Sequence, residues 1–161
     1  MQRDRLLITL LLTIAMLSAC NSADHSMESA PTEKGMIVTN VRANMTLPTD
    51  TGSFWLNITN NTDAEDSLIG AKADGCGTVE LHEMSMENGV MSMSAVEGGK
   101  MAIPVGETLK LEPAGLHLMC INKAAPLAVD TTVTLTLQFA KAGEIQAAAK
   151  VVEPGEMDMD H

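Results

Sequence analysis

Between Met36 and Val152 the chain alternates apolar and polar residues in short runs, and glycine, proline, asparagine or aspartate interrupts each run. A period of two places successive side chains on opposite faces of an extended strand, so each run buries one face only. The runs are MIVTNVRANMT, GSFWLNIT, TVELHEM, GVMSMSAV, ETLKLEP, GLHLMCI, TTVTLTLQF and, more weakly, EIQAAAKVV; stretches such as TNNTDAED, ENG, EGGK, EPAG and KAGE punctuate them. In GSFWLNIT, Phe54, Leu56 and Ile58 take one face, and Trp55 and Asn57 the other. Beyond residue 20 no segment combines a helical period with caps, apart from a turn near residue 124. Eight or so short strands at this spacing predict an all-β antiparallel sandwich or barrel.

The N-terminus falls outside this pattern. A basic start, MQRDR, precedes the apolar run LLITLLLTIAMLSA from Leu6 to Ala19. As a helix that run is about 21 Å long, short of a hydrocarbon core of roughly 30 Å. Charged, apolar and small-residue regions in this order describe a secretory signal peptide over residues 1–19. The sequence Leu17-Ser18-Ala19-Cys20 resembles a bacterial lipobox. That resemblance implies a lipidated Cys20 and a membrane held through lipid alone, firmly so when more than one acyl chain is attached. With Asn21 rather than aspartate after the cysteine, it also implies the outer membrane, on the periplasmic side of the bacterial envelope. Residues 20–35 are small and polar and predict a flexible lipidated tether. Residues 36–152 form the single domain, and residues 153–161 an acidic tail holding Met157, Met159 and His161.

Charge and cysteine usage narrow the function. The net charge of -11 grows one unit more negative once Arg3, Asp4 and Arg5 leave with the signal peptide. Nucleic-acid binding needs clustered Lys and Arg to displace counterions, so that class is excluded. Disulfides persist outside the cytosol. With Cys20 consumed by lipid, Cys76 and Cys120 remain, either as a disulfide or as two thiols near a metal.

Sulfur of another kind concentrates in ELHEMSMENGVMSMS, Glu80 to Ser94, which carries four methionines and a histidine in a protein with one tryptophan and no tyrosine. Strand alternation puts His82, Met84 and Met86 on one face, Met91 and Met93 on one face, and His117 and Met119 on one face. The first two groups flank a hairpin at Glu87-Asn88-Gly89. If the third packs beside them, imidazoles and thioethers converge at one end of the fold. This is a soft donor set suited to Cu(I), whereas zinc recruits Cys or carboxylate with His and calcium wants oxygen.

The stretch VELHEM…GVMSM…IPVGETLKLEPAGLHLMCI…TVTLTLQFAKAGEI resembles the periplasmic copper chaperone family, PCuAC, over roughly Met36 to Val152. The family motif is a histidine, a methionine after ten intervening residues, and a later His-x-Met; His82, Met93 and His117-Leu118-Met119 reproduce it. Between Met93 and His117 lie 23 residues, somewhat more than the family spacing, and the turn in EGGKM is placed to absorb the excess. The resemblance implies a cupredoxin-like Greek-key β-sandwich or barrel of about eight to nine strands. It implies Cu(I) held by His82, Met93, His117 and Met119. Met84, Met86, Met91 and Met101 are then candidates for a secondary copper site or a landing surface. The tail residues Met157, Met159 and His161, and His25 with Met27, are candidates for Cu(II). The implied partner is an extracytoplasmic cuproenzyme, either the cytochrome oxidase copper centre or nitrite reductase, with a thioredoxin-like copper-transfer protein alongside. Cys120 follows Met119 directly, so a regular strand turns it away from the copper face and favours the disulfide.

Three other readings compete. An electron-transfer copper protein needs a Cys thiolate just before its last His and Met, and no histidine follows Cys120 until His161. An enzyme is disfavoured because GxSxG, HExxH and phosphate-cradling glycine loops are absent. A structural methionine-rich outer-membrane lipoprotein, or a periplasmic copper storage or resistance protein, shares the composition without the transfer role.

Overall fold

Alternation is clearest where Val133, Leu135, Leu137 and Phe139 are buried between exposed or half-buried Thr132, Thr134, Thr136 and Gln138. The computed structural model describes residues 34–87 and 89–153. The segments expected to be a signal peptide and a tether before Lys34, with Cys20, His25, Met27, Met157, Met159 and His161, lie outside the described residues. Ten strands follow one another: β1 (Gly35–Asn44), β2 (Thr51–Asn61), β3 (Asp66–Ala73), β4 (Cys76–Glu87), β5 (Val90–Ala95), β6 (Met101–Ile103), β7 (Thr108–Leu111), β8 (His117–Lys123), β9 (Thr132–Phe139) and β10 (Gly143–Val151).

Two of these strands, β3 and β6, do not stand out in the sequence. In β3 the buried residues Leu68 and Ala71 are three apart, because the register with β9 shifts between Leu68 and Gly70. The extra residue of a bulge breaks the period of two while letting both side chains face inward. β6 is only three residues long.

The strands pair in the order β5-β4-β8-β2-β1-β10-β9-β3-β6, and β3 also pairs with β4 at Ala71 and Val79. That last pairing closes β4, β8, β2, β1, β10, β9 and β3 into a barrel, which removes the open edges of those strands. Every pairing is antiparallel except β1 with β10, which run parallel at Arg42 with Lys150 and Ala43 with Val151. Outside the ring, β7 pairs with β2 and β6 with β3. β5 pairs with the second half of β4, from His82 to Glu87. The β4–β5 hairpin therefore leaves the barrel as a two-stranded ribbon.

The interior is filled by Phe54, Leu56 and Ile58 of β2, Leu118 and Cys120 of β8, the inward row of β9, and Val79 and Leu81 of β4. Each such side chain contributes about 1.5–3 kcal/mol on burial. Cys76 and Cys120 are joined by a disulfide, with Cα atoms 5.5 Å apart. The bond ties the base of β4 to β8. On β3, the ring neighbour of β4, Asp66 latches the start of the strand to the β9–β10 turn. Its Oδ1 accepts from the backbone N–H of Ser67 (2.7 Å) and Lys141 (2.9 Å), and its Oδ2 from Ala142 (2.8 Å). Burial alone would raise the carboxyl's pKa; these three donors and the Lys141 charge hold it below the ordinary value.

Candidate metal centre

β4 parts from β8 at one rung. Their ladder runs from Cys76 opposite Lys123 up to His82 opposite His117, and ends there. Beyond His82, β4 continues with β5 alone. Directly opposed residues of an antiparallel pair point to the same face. The two histidines thus emerge together at the barrel rim, with ring centroids 5.9 Å apart and planes inclined by 55°.

Hydrogen bonds set the tautomer of each ring. His117 Nδ1–H donates to the Gly115 carbonyl (3.1 Å), leaving Nε2 with its lone pair free. The same carbonyl accepts the backbone N–H of Met84 (3.2 Å), so the β7–β8 loop is bound to β4 where the ring is oriented. His82 Nε2 lies 2.9 Å from Glu80 Oε2. A carboxylate only accepts, so a neutral His82 donates through Nε2 and keeps its lone pair on Nδ1. That Nδ1 is buried and has no hydrogen-bond partner. A buried nitrogen left unpaired is costly, and a metal would relieve it. His117 is itself buried, and burial pushes its pKa down; the Gly115 bond opposes this in part, and the neighbouring His82 charge lowers it further. Neutral imidazole is the form that coordinates a metal.

Thioethers share this face. Along β8, Met119 follows His117 by two and pairs with Glu80 of β4 and Ser53 of β2. Along the ribbon, Met84 opposes Met93, and Met86 opposes Met91. Met84, Met93 and His117, with Ser53, Trp55, Pro113 and Ala114, line a hollow of about 270 Å³. Larger hollows at Lys34–Gly106, Ala71–Val79 and Met36–Ala148 contain no histidine, so chemistry rather than volume singles out this one. Met101 is elsewhere. It alternates with Ile103 on the inward side of β6, pairs with Leu68 of β3 and is 4% exposed within the core. Its sulfur fills the interior, a correction to its candidacy for a secondary site.

Six contributors are not among the residues expected from sequence: Glu80, Gly115, Trp55, Ser53, Pro113 and Ala114. Glu80 stands two residues before His82 on one strand, and this spacing alone was available as a signal. The others arrive from β2 and from a loop, which no local pattern reveals. Among the described residues, no group of three or more His, Cys, Asp or Glu could hold a metal. An ion at this rim would meet imidazoles and thioethers rather than an oxygen cage, a set that suits a soft ion.

A family model described as "Putative lipoprotein LpqE-like" matches residues 36–151. A curated relative, "Putative lipoprotein Lxx21020" of Leifsonia xyli subsp. xyli (strain CTCB07), is 32% identical over 84 residues. That match takes in 52% of this chain and 50% of the relative, so the chain spans about half the length of the curated protein it matches. Among solved structures, the apo PCuAC domain from PmoF1 superposes with a TM-score of 0.63 at 22% identity, covering 76% of this chain and 98% of that domain. The copper-bound PCuAC domain from PmoF2 gives 0.61 at 21% identity over 74% and 93%. The solution structure of CuI-DR1885 from Deinococcus radiodurans gives 0.56 at 26% identity over 74% and 81%.

Proposed function

The chain belongs to the LpqE-like lipoprotein family and has the fold of PCuAC domains, and from that premise we propose that it is a copper chaperone. It binds one Cu(I) at the barrel rim through His82, Met93, His117 and Met119 and delivers it to an extracytoplasmic cuproenzyme. It acts as a carrier and not as an enzyme, and is held in the cell envelope through lipid on Cys20. The observation that carries the reading is the rim pair of imidazoles, 5.9 Å apart, each with one nitrogen committed to a hydrogen bond and the other left to coordinate.

The chemistry follows from the donors. His82 would bind through Nδ1 and His117 through Nε2. Met119 approaches along β8, and Met93 reaches in from the ribbon. Glu80 orients His82 as a carboxylate behind a metal-binding histidine does, which also raises ligand basicity. A thioether carries no proton, so Cu(I) enters and leaves the methionine sulfurs without acid–base chemistry. The copper-bound neighbours from PmoF2 and Deinococcus radiodurans support copper as the cargo. Blue-copper electron transfer is disfavoured because it requires a thiolate, and both domain cysteines are spent on each other. The family resemblance favours the cytochrome oxidase copper centre as client, with nitrite reductase as the other candidate acceptor.

The test is Cu(I) competition against a coloured chelator under anaerobic, reducing conditions that leave the disulfide intact. Trp55, the single tryptophan, lines the hollow and reports binding by its fluorescence. Wild type should hold one Cu(I) tightly, with altered Trp55 emission and no blue band on oxidation. Met93→Leu, and His117→Ala with Met119→Leu, should each weaken it by tenfold or more. Equal affinity in all three proteins would refute the site.

A further inference from the structure

The rim site uses one methionine of the ribbon and leaves three unassigned. Met84 opposite Met93 forms an inner rung, and Met86 opposite Met91 an outer one. Opposed and next-but-one residues share a face, with opposed Cβ atoms about 4.5–5.5 Å apart. All four thioethers therefore stand on one side of the ribbon in two successive rungs. The inner rung borders the hollow with His117. The outer rung projects into solvent: Met86 is 66% exposed and Met91 46%.

Packing does not account for the outer pair. A methionine left in water gains little of the burial energy that makes it a core residue. In an exported protein it is also open to oxidation to the sulfoxide. Gap-filling, the ordinary use of methionine, applies to Met45 and Met101, both buried in the core, and not here. Exposed thioethers in register are what a soft cation selects.

Building on the Cu(I) reading above, we infer that Met84, Met86 and Met91 form a second Cu(I) site on the ribbon, through which the ion passes between solvent or partner and the rim. Met84 serves both sites. It is next-but-one to Met86 along β4 and directly opposite Met93. Transfer proceeds by ligand exchange, in which a thioether of the outer rung departs as a donor of the rim set enters. The ion stays Cu(I) throughout, and no electron or proton moves. The ribbon site is the weaker of the two. Its long, flexible side chains lose rotamer freedom when ordered, whereas the rim imidazoles are already fixed by Glu80 and Gly115.

The experiment follows methionine methyl signals by NMR in the full chain, carrying 13C-methyl methionine, as Cu(I) is added stepwise without oxygen. The first equivalent should move Met93 and Met119, and the second should move Met86 and Met91, with Met84 responding to both. A Met86→Leu/Met91→Leu variant keeps two exposed apolar side chains in the same register. It should retain the first equivalent unchanged and lose the second from the ribbon. The inference is overturned if Met86 and Met91 stay still through two equivalents. It is equally overturned if the second equivalent survives in the double variant, for instance by moving Met157 and Met159 instead. Stationary Met93 and Met119 beside moving Met86 and Met91 would refute the rim site while supporting the ribbon site.

Discussion

Removing the cross-link between Cys76 and Cys120 offers the most quantitative check on how the two histidine-bearing strands are held together. The bond closes a loop with a sequence separation of 44 residues. In the chain-entropy treatment, a loop of that length removes about 13 cal/mol/K from the unfolded chain, or about 4 kcal/mol at 25 °C. Cys120 is fully buried, so a Cys76→Ala/Cys120→Ala variant also loses packing worth about 1 kcal/mol. Reduced wild type keeps both sulfurs and isolates the cross-link. With a urea slope of about 2 kcal/mol/M, the reduced protein should unfold about 2 M earlier than the oxidised protein, and the double variant somewhat earlier still. Copper affinity should fall far less, because the ladder from Thr78 to His82 still joins β4 to β8 without the bond. A loss below about 1 kcal/mol on reduction, at unchanged slope, would refute the cross-link as a major constraint. An alkylating agent that labelled both cysteines in the folded, unreduced protein would show that the bond is not formed.

Three further outcomes are expected. Glu80→Ala, which strips the carboxylate from His82, should weaken Cu(I) binding by about ten- to a hundredfold in chelator competition while leaving the urea midpoint nearly unchanged. Asp66→Asn should cost about 1–3 kcal/mol at neutral pH by disturbing three backbone hydrogen bonds. Because the folded carboxyl titrates below its unfolded value, its contribution is present above the ordinary carboxylate range and disappears as pH falls through the folded pKa. Urea midpoints of wild type and variant measured from neutral pH into acid should therefore converge. Gly52→Ala places a Cβ against the Met45 sulfur and 2.9 Å from the Asn44 carbonyl, on the strand position opposite Cys120. Overpacking there should cost about 1–3 kcal/mol in thermal or urea unfolding.

What could be read from sequence was whatever depends on neighbours along the chain. The regular strands β2 and β9 announce themselves because the row of side chains facing the interior enforces a period of two. Asn88-Gly89 marks the hairpin, since a two-residue turn between Glu87 and Val90 demands positive φ, and Gly89 adopts +78°. The same logic put His82 with Met84 and Met86, and His117 with Met119. The bulge in β3 defeats it, because burial there obeys the neighbouring strand rather than the period. Barrel closure and the parallel β1–β10 pair join segments far apart in sequence, where alternation is silent. Met101 shows the limit from the other side. A methionine near a methionine-rich stretch looks like a ligand until its strand is seen to face inward. Gly115 escaped notice because its contribution is a carbonyl, and a carbonyl has no letter in the sequence.

One feature of the ribbon bears on how such a protein changes over generations. All six residues of β5 are exposed, so Val90 to Ala95 fill no part of the interior. A substitution there leaves the barrel's stability almost untouched, and if the strand carries the proposed copper ligand, selection on it answers to binding. The barrel and this strand can therefore vary independently. A lineage meeting a new acceptor or a scarcer metal could rewrite this one short strand without putting the fold at risk.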